Sequence, residues 1–333
     1  IIVNSAIIAI IWIGGVQVDT GRLTQGEVIA LVNYMSQILV ELVKLANLII
    51  LLTKAMACSK RVGEVFAMQT SVAEHPTGFD LERNENKVEF KNVTFTYDGS
   101  KEPALKDISF TAKSGQTIGI IGGTGCGKST LVNMIPRFYD ATEGEVLVDN
   151  ENVKKYSFHQ LRDRIGVVPQ KAVLFNGTIA ENIRWGKDDA TIEEMEHAVA
   201  IAQCSDVIAA KNGGFNEIIL QGGKNLSGGQ RQRLTIARAL VKEPEILVLD
   251  DSASALDFAT DAALRKAIKE ETKDMTVFIV SQRASTIKQA DQIIVLEDGA
   301  MAGIGTHEEL IKNCEIYKEI VASQDETVKG EKL

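Results

Sequence analysis

The stretch Gly122-Gly123-Thr124-Gly125-Cys126-Gly127-Lys128-Ser129-Thr130 decides the fold of this chain. It fits G-x-x-x-x-G-K-S/T, the pattern of a phosphate-binding loop. Residues 117–121 before it form an apolar run that predicts a buried strand, and residues 131–138 after it predict a helix. Glycines let backbone N–H groups turn inward without a Cβ clash, and the helix N-terminus adds partial positive charge. In such a loop Lys128 reaches the β- and γ-phosphates, and the Ser129 hydroxyl ligates Mg²⁺. The loop therefore points to a nucleoside triphosphate.

Outward from the loop, strand and helix patterns alternate from Lys87 on. Residues 88–90 and 93–97 alternate like half-buried antiparallel strands. Residues 108–110, 145–149, 165–168, 246–250, 276–281 and 292–296 are further strand candidates. Several are continuous apolar runs, as parallel strands buried on both faces should be. Residues 192–208 and 229–240 read as helices. Leu226-Ser227-Gly228-Gly229-Gln230 places glycines at the start of the second of these helices, a further anion site made of N–H groups and dipole. Downstream, an apolar run ends in Asp250-Asp251.

With these motifs in this order the chain resembles the ABC ATPases, and within them the exporter half-transporters, over nearly all of its 333 residues. Tyr97, in Phe95-Thr96-Tyr97, matches the aromatic that stacks on adenine. Gln170, in Val167-Val168-Pro169-Gln170, matches the Q-loop residue that touches Mg²⁺ and the membrane-domain contact. The stretch from Leu174-Phe175-Asn176-Gly177-Thr178 to Ile179-Ala180-Glu181-Asn182-Ile183 is similar to exporters in particular. Leu226-Ser227-Gly228-Gly229-Gln230 matches the family signature, Asp250 the carboxylate that closes the Walker B strand, and Ser254-Ala255-Leu256-Asp257 the D-loop.

The resemblance implies an α/β fold, a P-loop NTPase with a RecA-like core, an antiparallel β subdomain and a helical subdomain at about residues 171–240. It implies that ATP is held by Tyr97, Gly122, Thr124, Gly125, Cys126, Gly127, Lys128, Ser129, Thr130, Gln170 and Asp250. Ser129, Gln170 and Asp250 would hold Mg²⁺. Ser227, Gly228, Gly229 and Gln230 would complete the ATP site of a second subunit, since the family sandwiches two ATP molecules head to tail between two nucleotide domains.

Two positions depart from the family pattern at the catalytic site. Asp251 stands where the family usually has Glu as general base, and one methylene fewer withdraws the carboxylate by about 1.5 Å. Gln282 stands where the family usually has His contacting the γ-phosphate, and its amide can donate a hydrogen bond but cannot take up a proton or positive charge. Upstream of the signature, Leu220-Gln221-Gly222-Gly223 also lacks the usual acidic residue. Asp251, Gln282 and Gln170 are the catalytic candidates, and the first two weaken water activation.

The first 72 residues have another character. Residues 1–16 are apolar, begin without Met or a basic leader, and read as the end of a membrane helix in a piece of a longer protein. Residues 18–25 read as a polar turn. Residues 26–68 predict one helix, roughly 65 Å long and about twice the hydrocarbon core. Lys54, Lys60 and Arg61 beyond its apolar part place that end in the cytoplasm. Asn33, Gln37, Glu41, Lys44 and Asn47 form a polar stripe along it. The stripe is either the wall of a substrate pathway or, through Glu41 and Lys44, a tie between neighbouring helices.

The expected organisation is thus membrane helices at 1–72, a linker at 73–86, a nucleotide-binding domain at 87–322 and a flexible tail at 323–333. Net charge of −9 leaves no basic excess for nucleic acid, and the four scattered cysteines and four scattered histidines form no zinc pattern. The reading is an exporter ATPase subunit in the cell membrane, weak at its own site and paired with a non-identical half-transporter carrying Glu and His. Its other contacts would be membrane lipid and an unidentified substrate. The alternatives are a soluble-type ABC ATPase or an ATP-gated structural subunit without transport.

Overall fold

The computed structural model describes residues 2–68, 70, 72, 73, 85–252, 254–272 and 274–330. Most of the linker expected at 73–86 lies outside them. The chain divides into two compact units, Ile1–Thr70 and Ser71–Leu333.

In the first unit, α1 (Ile2–Asp19) and α2 (Gln25–Ala67) are joined by a tight turn. Gly21 closes α1 with φ of 72°, a left-handed conformation that costs glycine nothing. Thr24 then opens α2 with a capping box: its hydroxyl accepts from the Glu27 N–H, and the Glu27 carboxylate accepts from the Thr24 N–H. Gly14 faces Val28, whose Cγ1 would stand 2.7 Å from a Cβ there, so only glycine lets the two helices meet here. Helix α2 has 43 residues, among them the expected polar stripe. Within the stripe, Lys44 Nζ lies 2.7 Å from Glu41 Oε1, a pair closed inside one helix. Among the described residues α2 is the one helix long and apolar enough to cross a membrane, by length and composition.

The second unit holds two main sheets. Strands β1 (Asn86–Phe95), β2 (Leu105–Lys113), β4 (Glu143–Val148) and β5 (Glu151–Asn152) form an antiparallel sheet in the order β2-β1-β4-β5. The six-stranded sheet comprises β3 (Thr117–Gly122), β6 (Ile165–Val168), β9 (Ile246–Asp250), β10 (Thr276–Val280), β11 (Gln292–Glu297) and β12 (Ala300–Gly305), in the order β12-β11-β3-β10-β9-β6. All its neighbours pair in parallel except β12, a hairpin partner of β11. A short hairpin pairs β7 (Gly177–Thr178) with β8 (Ile218–Ile219).

The continuous apolar runs have a physical reason. Successive side chains of a strand point to opposite faces, and both faces here are buried. Leu247 and Leu249 of β9 join one core, while Ile246 and Val248 join the other. In β10, Val277 and Ile279 alternate with Phe278 and Val280 in the same way.

Helices cover these cores: α3 (Lys128–Asn133), α4 (Phe158–Arg162), α5 (Ile179–Arg184), α6 (Ile192–Ile201), α7 (Ser205–Ala209), α8 (Gly228–Leu240), α9 (Phe258–Glu271), α10 (Ala284–Ile287), α11 (His307–Asn313) and α12 (Glu315–Gly330). Three sequence expectations change. The helix after the loop is α3 alone, ending at Asn133 ahead of Pro136 and of Arg137 at φ of 55°. The helix expected at 192–208 is two, because Gln203 takes a left-handed φ of 54° between α6 and α7. The chain from 323 continues α12 to Gly330 instead of leaving the helix, since this polar segment contains no proline and extends a helix anchored by buried Tyr317.

One buried ionic cluster fixes the antiparallel sheet against the edge of the parallel one. Lys87 of β1 binds Asp149 at 3.0 Å and also Glu245, which precedes β9. Arg164, just before β6, binds the same two carboxylates at 2.5 and 2.6 Å. Two cations meet two anions, so no net charge is buried. β1, which leads to Tyr97, is thereby tied to the residue that precedes β9, the strand that ends in Asp250.

Candidate functional site

The strand order builds the site. Neighbouring parallel strands β3, β10, β9 and β6 end side by side, and each carboxyl end carries one candidate: the loop after β3, Gln282 after β10, Asp250 and Asp251 at the end of β9, Gln170 after β6. Crevices at the carboxyl ends of such strands are where α/β sheets bind ligands.

The loop itself is held open by glycine. Gly125 and Gly127 have φ of 82° and 97°, in the left-handed region. A Cβ on Gly127 would lie 2.7 Å from the Ala104 carbonyl oxygen, whereas above Gly123 and Gly125 there is open space. That space is where backbone N–H groups can meet phosphate. Lys128 is buried, and its ammonium donates to the carbonyls of Gly122 at 2.9 Å and Gly123 at 2.6 Å. Cys126 is also buried, its Sγ 3.7 Å from Lys128 Nζ, so the thiol lies under the loop instead of at its mouth.

Hydrogen bonds tie Asp250 to this loop and Gln170 to Asp251. Ser129 Oγ donates to Asp250 Oδ1 at 3.0 Å, and Gln170 Nε2 donates to Asp251 Oδ2 at 3.2 Å. Burial raises the Asp250 pKa above the ordinary range, the Asp251 charge adds to this, and the Ser129 bond and Lys128 charge oppose it. Burial likewise raises Asp251, against the Gln170 bond and the charges of Lys128 and Arg283. Asp251 has a φ of 46°, a left-handed conformation that short Asp side chains tolerate well. The hydroxyl of Ser129 beside the buried carboxylate of Asp250, with the Gln170 amide close by, is a hard oxygen set that fits Mg²⁺.

Tyr97 and Ser227 have partners within the domain. The hydroxyl of Tyr97 lies 2.8 Å from Thr130 Oγ1, and its ring packs edge-on to Phe95 and to Tyr139, with centroids 4.8 and 5.3 Å apart. Tyr97 is thus carried by an aromatic cluster with 39% of its surface exposed. Ser227 caps α8: its Oγ accepts from the Gln230 N–H at 3.2 Å, and Gln230 Oε1 accepts from the Ser227 N–H at 3.0 Å. The fit is S-x-x-Q, a capping box. Ser227, Gly228 and Gly229 are solvent-accessible, and among the described residues no hydrogen bond joins residues 227–230 to residues 122–130.

Sequence reading passed over two neighbours of the site. Arg283 stacks its guanidinium 5.2 Å from the Phe258 ring and favours the ionised form of Asp251. Tyr139 supports Tyr97. Adjacency to Gln282 could have flagged the first; nothing local flags the second.

Residues 105–254 match the model of the ABC transporter family. This region is an ABC transporter domain. It is 41% identical over 97% of its length to an uncharacterized ABC transporter ATP-binding protein of Bacillus subtilis (strain 168), covering 56% of that protein. It is 38% identical over 97% of its length to a putative multidrug export ATP-binding/permease protein of the same organism, again covering 56% of it. A solved bacterial Atm1-family ABC exporter with ATP bound superposes with a TM-score of 0.77 and 33% identity, across 91% of this chain and 53% of that one. The chain spans about half the length of the relatives it matches. As in that family, its α/β P-loop domain follows an N-terminal helical region.

Proposed function

We propose that this chain is the ATP-binding subunit of an ABC exporter, anchored by α2, whose own ATP site hydrolyses slowly while its signature serves the site of a non-identical partner. The observation that carries the reading is the composition of one crevice: Lys128, Ser129 and Asp250 intact, beside Asp251 and Gln282. Supporting it, the relatives include proteins named as exporters, and α2 is long and apolar, which favours an exporter over a soluble-type ATPase.

In this mechanism Lys128 releases the Gly122 and Gly123 carbonyls and turns its ammonium to the β- and γ-phosphates, while the loop N–H groups hold the phosphate chain. Ser129, Asp250 and Gln170 would hold Mg²⁺, which when bound neutralises charge on the phosphate oxygens. Tyr97 would leave Thr130 to stack on the adenine. Asp251 and Gln282 are both poor at their tasks: the carboxylate is short and engaged by Gln170, and the amide cannot take up a proton. ATP would be retained and would hold two nucleotide domains together, with Ser227–Gln230 of this chain closing on the partner's ATP.

The test counts only this site. In the assembled transporter with the partner's catalytic carboxylate removed, ATP turnover should be close to background. Restoring Asp251→Glu with Gln282→His should raise it about a hundredfold at most, with single restorations doing less because the two groups act together. Fast turnover before restoration would overturn the reading.

A further inference from the structure

We infer that Gln324, on the last turns of α12, is a positioning residue for Gln282, and that the C-terminal helix thereby sets the γ-phosphate-facing loop. The inference rests on the reading of Gln282 as the γ-phosphate contact.

Gln324 uses both ends of its amide. Its Nε2 donates to the Gln282 carbonyl oxygen at 2.7 Å, and its Oε1 accepts from the Ala284 N–H at 2.8 Å. The two bonds clamp the three residues between the end of β10 and the start of α10. The second supplies what the local sequence lacks: Arg283 occupies the N-cap of α10 and offers no side-chain cap. Gln324 caps that helix from a distance of 40 positions along the chain. Inside the loop, Ser281 Oγ accepts from the Arg283 N–H at 2.9 Å, so the clamp and this bond together fix the backbone on which Gln282 is carried.

The clamp is rigid because α12 is docked. Tyr317 is fully buried and its hydroxyl lies 2.9 Å from His307 Nδ1; Ile320 and Val321 pack against the core. Residues 317, 320, 321 and 324 fall at i, i+3, i+4 and i+7, a single face of the helix. The turn carrying Gln324 therefore has a fixed height above the loop. The Gln282 side chain is exposed and free to reach a ligand, while its main chain is not free to move.

Equilibrium binding of ATP and ADP to the full chain in nanodiscs, by displacement of trinitrophenyl-ATP, tests this. Gln282→Ala should weaken ATP while leaving ADP unchanged. Gln324→Leu, which keeps helix and volume, should lower the ATP/ADP preference by about threefold to tenfold, one to two hydrogen bonds' worth. Gln324→Glu, which keeps the acceptor for Ala284 but loses the donor to Gln282, should fall between. The Gln282→Ala/Gln324→Leu double variant should lose no more than Gln282→Ala alone. Hydrogen exchange should quicken at residues 281–287 and stay unchanged at 117–134, which shows that the variant is folded. An unchanged ATP/ADP ratio in Gln324→Leu, equal weakening of both nucleotides, or additive losses in the double variant would each overturn the inference. If Gln282→Ala itself leaves the ratio unchanged, the reading of Gln282 falls, and the inference with it.

Discussion

Gln170 Nε2 and Asp251 Oδ2 stand 3.2 Å apart, a hydrogen bond between the ends of two adjacent parallel strands. It ties the amide expected near Mg²⁺ to the carboxylate expected to activate water. The bond occupies one carboxylate oxygen with an amide donor and lowers its basicity, against the burial that raises it. Asp251→Asn preserves the size of the side chain and removes the charge. It should change ATPase activity of the complete transporter less than about twofold if this site is, as proposed, the slow one. A loss as large as that from removing the partner's carboxylate would show that Asp251 is catalytic.

Lys128 is buried and its ammonium rests on two loop carbonyls, from which the proposed mechanism turns it to the phosphates. Lys128→Ala should weaken ATP binding to this chain at least about tenfold, as expected for a lost charge-assisted contact. Photo-crosslinking of an azido-ATP checks it, and undiminished labelling would refute the assignment.

Ser227 is accessible at the N-terminus of α8, where a ligand from another subunit could meet it. Ser227→Arg would break the capping box and fill the space in front of the helix. Turnover by the whole transporter should collapse about a hundredfold or more, since closure on the partner's ATP is lost. Lys128→Ala, acting on the slow site, should do less damage. Steady-state ATPase of the two variant complexes decides, and equal losses would mean two equivalent sites.

The ionic cluster predicts stability. Lys87→Met removes one of the two cations that meet the buried Asp149 and unbalances the four charges, at a cost of about 3 kcal/mol in chemical denaturation.

Glu245 adds a pH signature. Burial would raise its pKa, but the bonds from Arg164 and Lys87 outweigh that and bring it to about 2. A depressed carboxylate stabilises the fold fully above its unfolded value near ~4.3, and the contribution is lost as pH falls toward 2. Glu245→Gln should therefore lower stability at neutral pH and flatten its decline between about pH 4 and pH 2, measured as the denaturant midpoint. An unchanged slope in that window would remove Glu245 from the account.

Much of the site was legible because its pieces are local. The glycines, Lys128 and Ser129 lie in one loop, and residues 227–230 spell out both a signature and a capping box. The strands were legible because both faces of the parallel sheet are buried, which leaves uninterrupted apolar runs. Their edges were less so: β12, with its alternate glycines and half-exposed pattern, carries little apolar signal, and the short β7–β8 hairpin has almost none. The break at Gln203 was hidden because a non-glycine residue took the left-handed turn.

By itself, then, the sequence determined the phosphate-loop pattern, the Ser227–Gln230 capping box, a long apolar helix and two positions, Asp251 and Gln282, that depart from the pattern it resembles, since each is written in local sequence. Tertiary structure alone decided which strands lie side by side. Strand patterns encode which faces are buried, not the order of crossovers, so Gln170 meets Asp251 across 81 positions and Ser129 meets Asp250 across 121. The same holds for Gln324: a polar residue near the end of a helix has no local signal, and only the docking of Tyr317, Ile320 and Val321 puts its amide on the loop that carries Gln282.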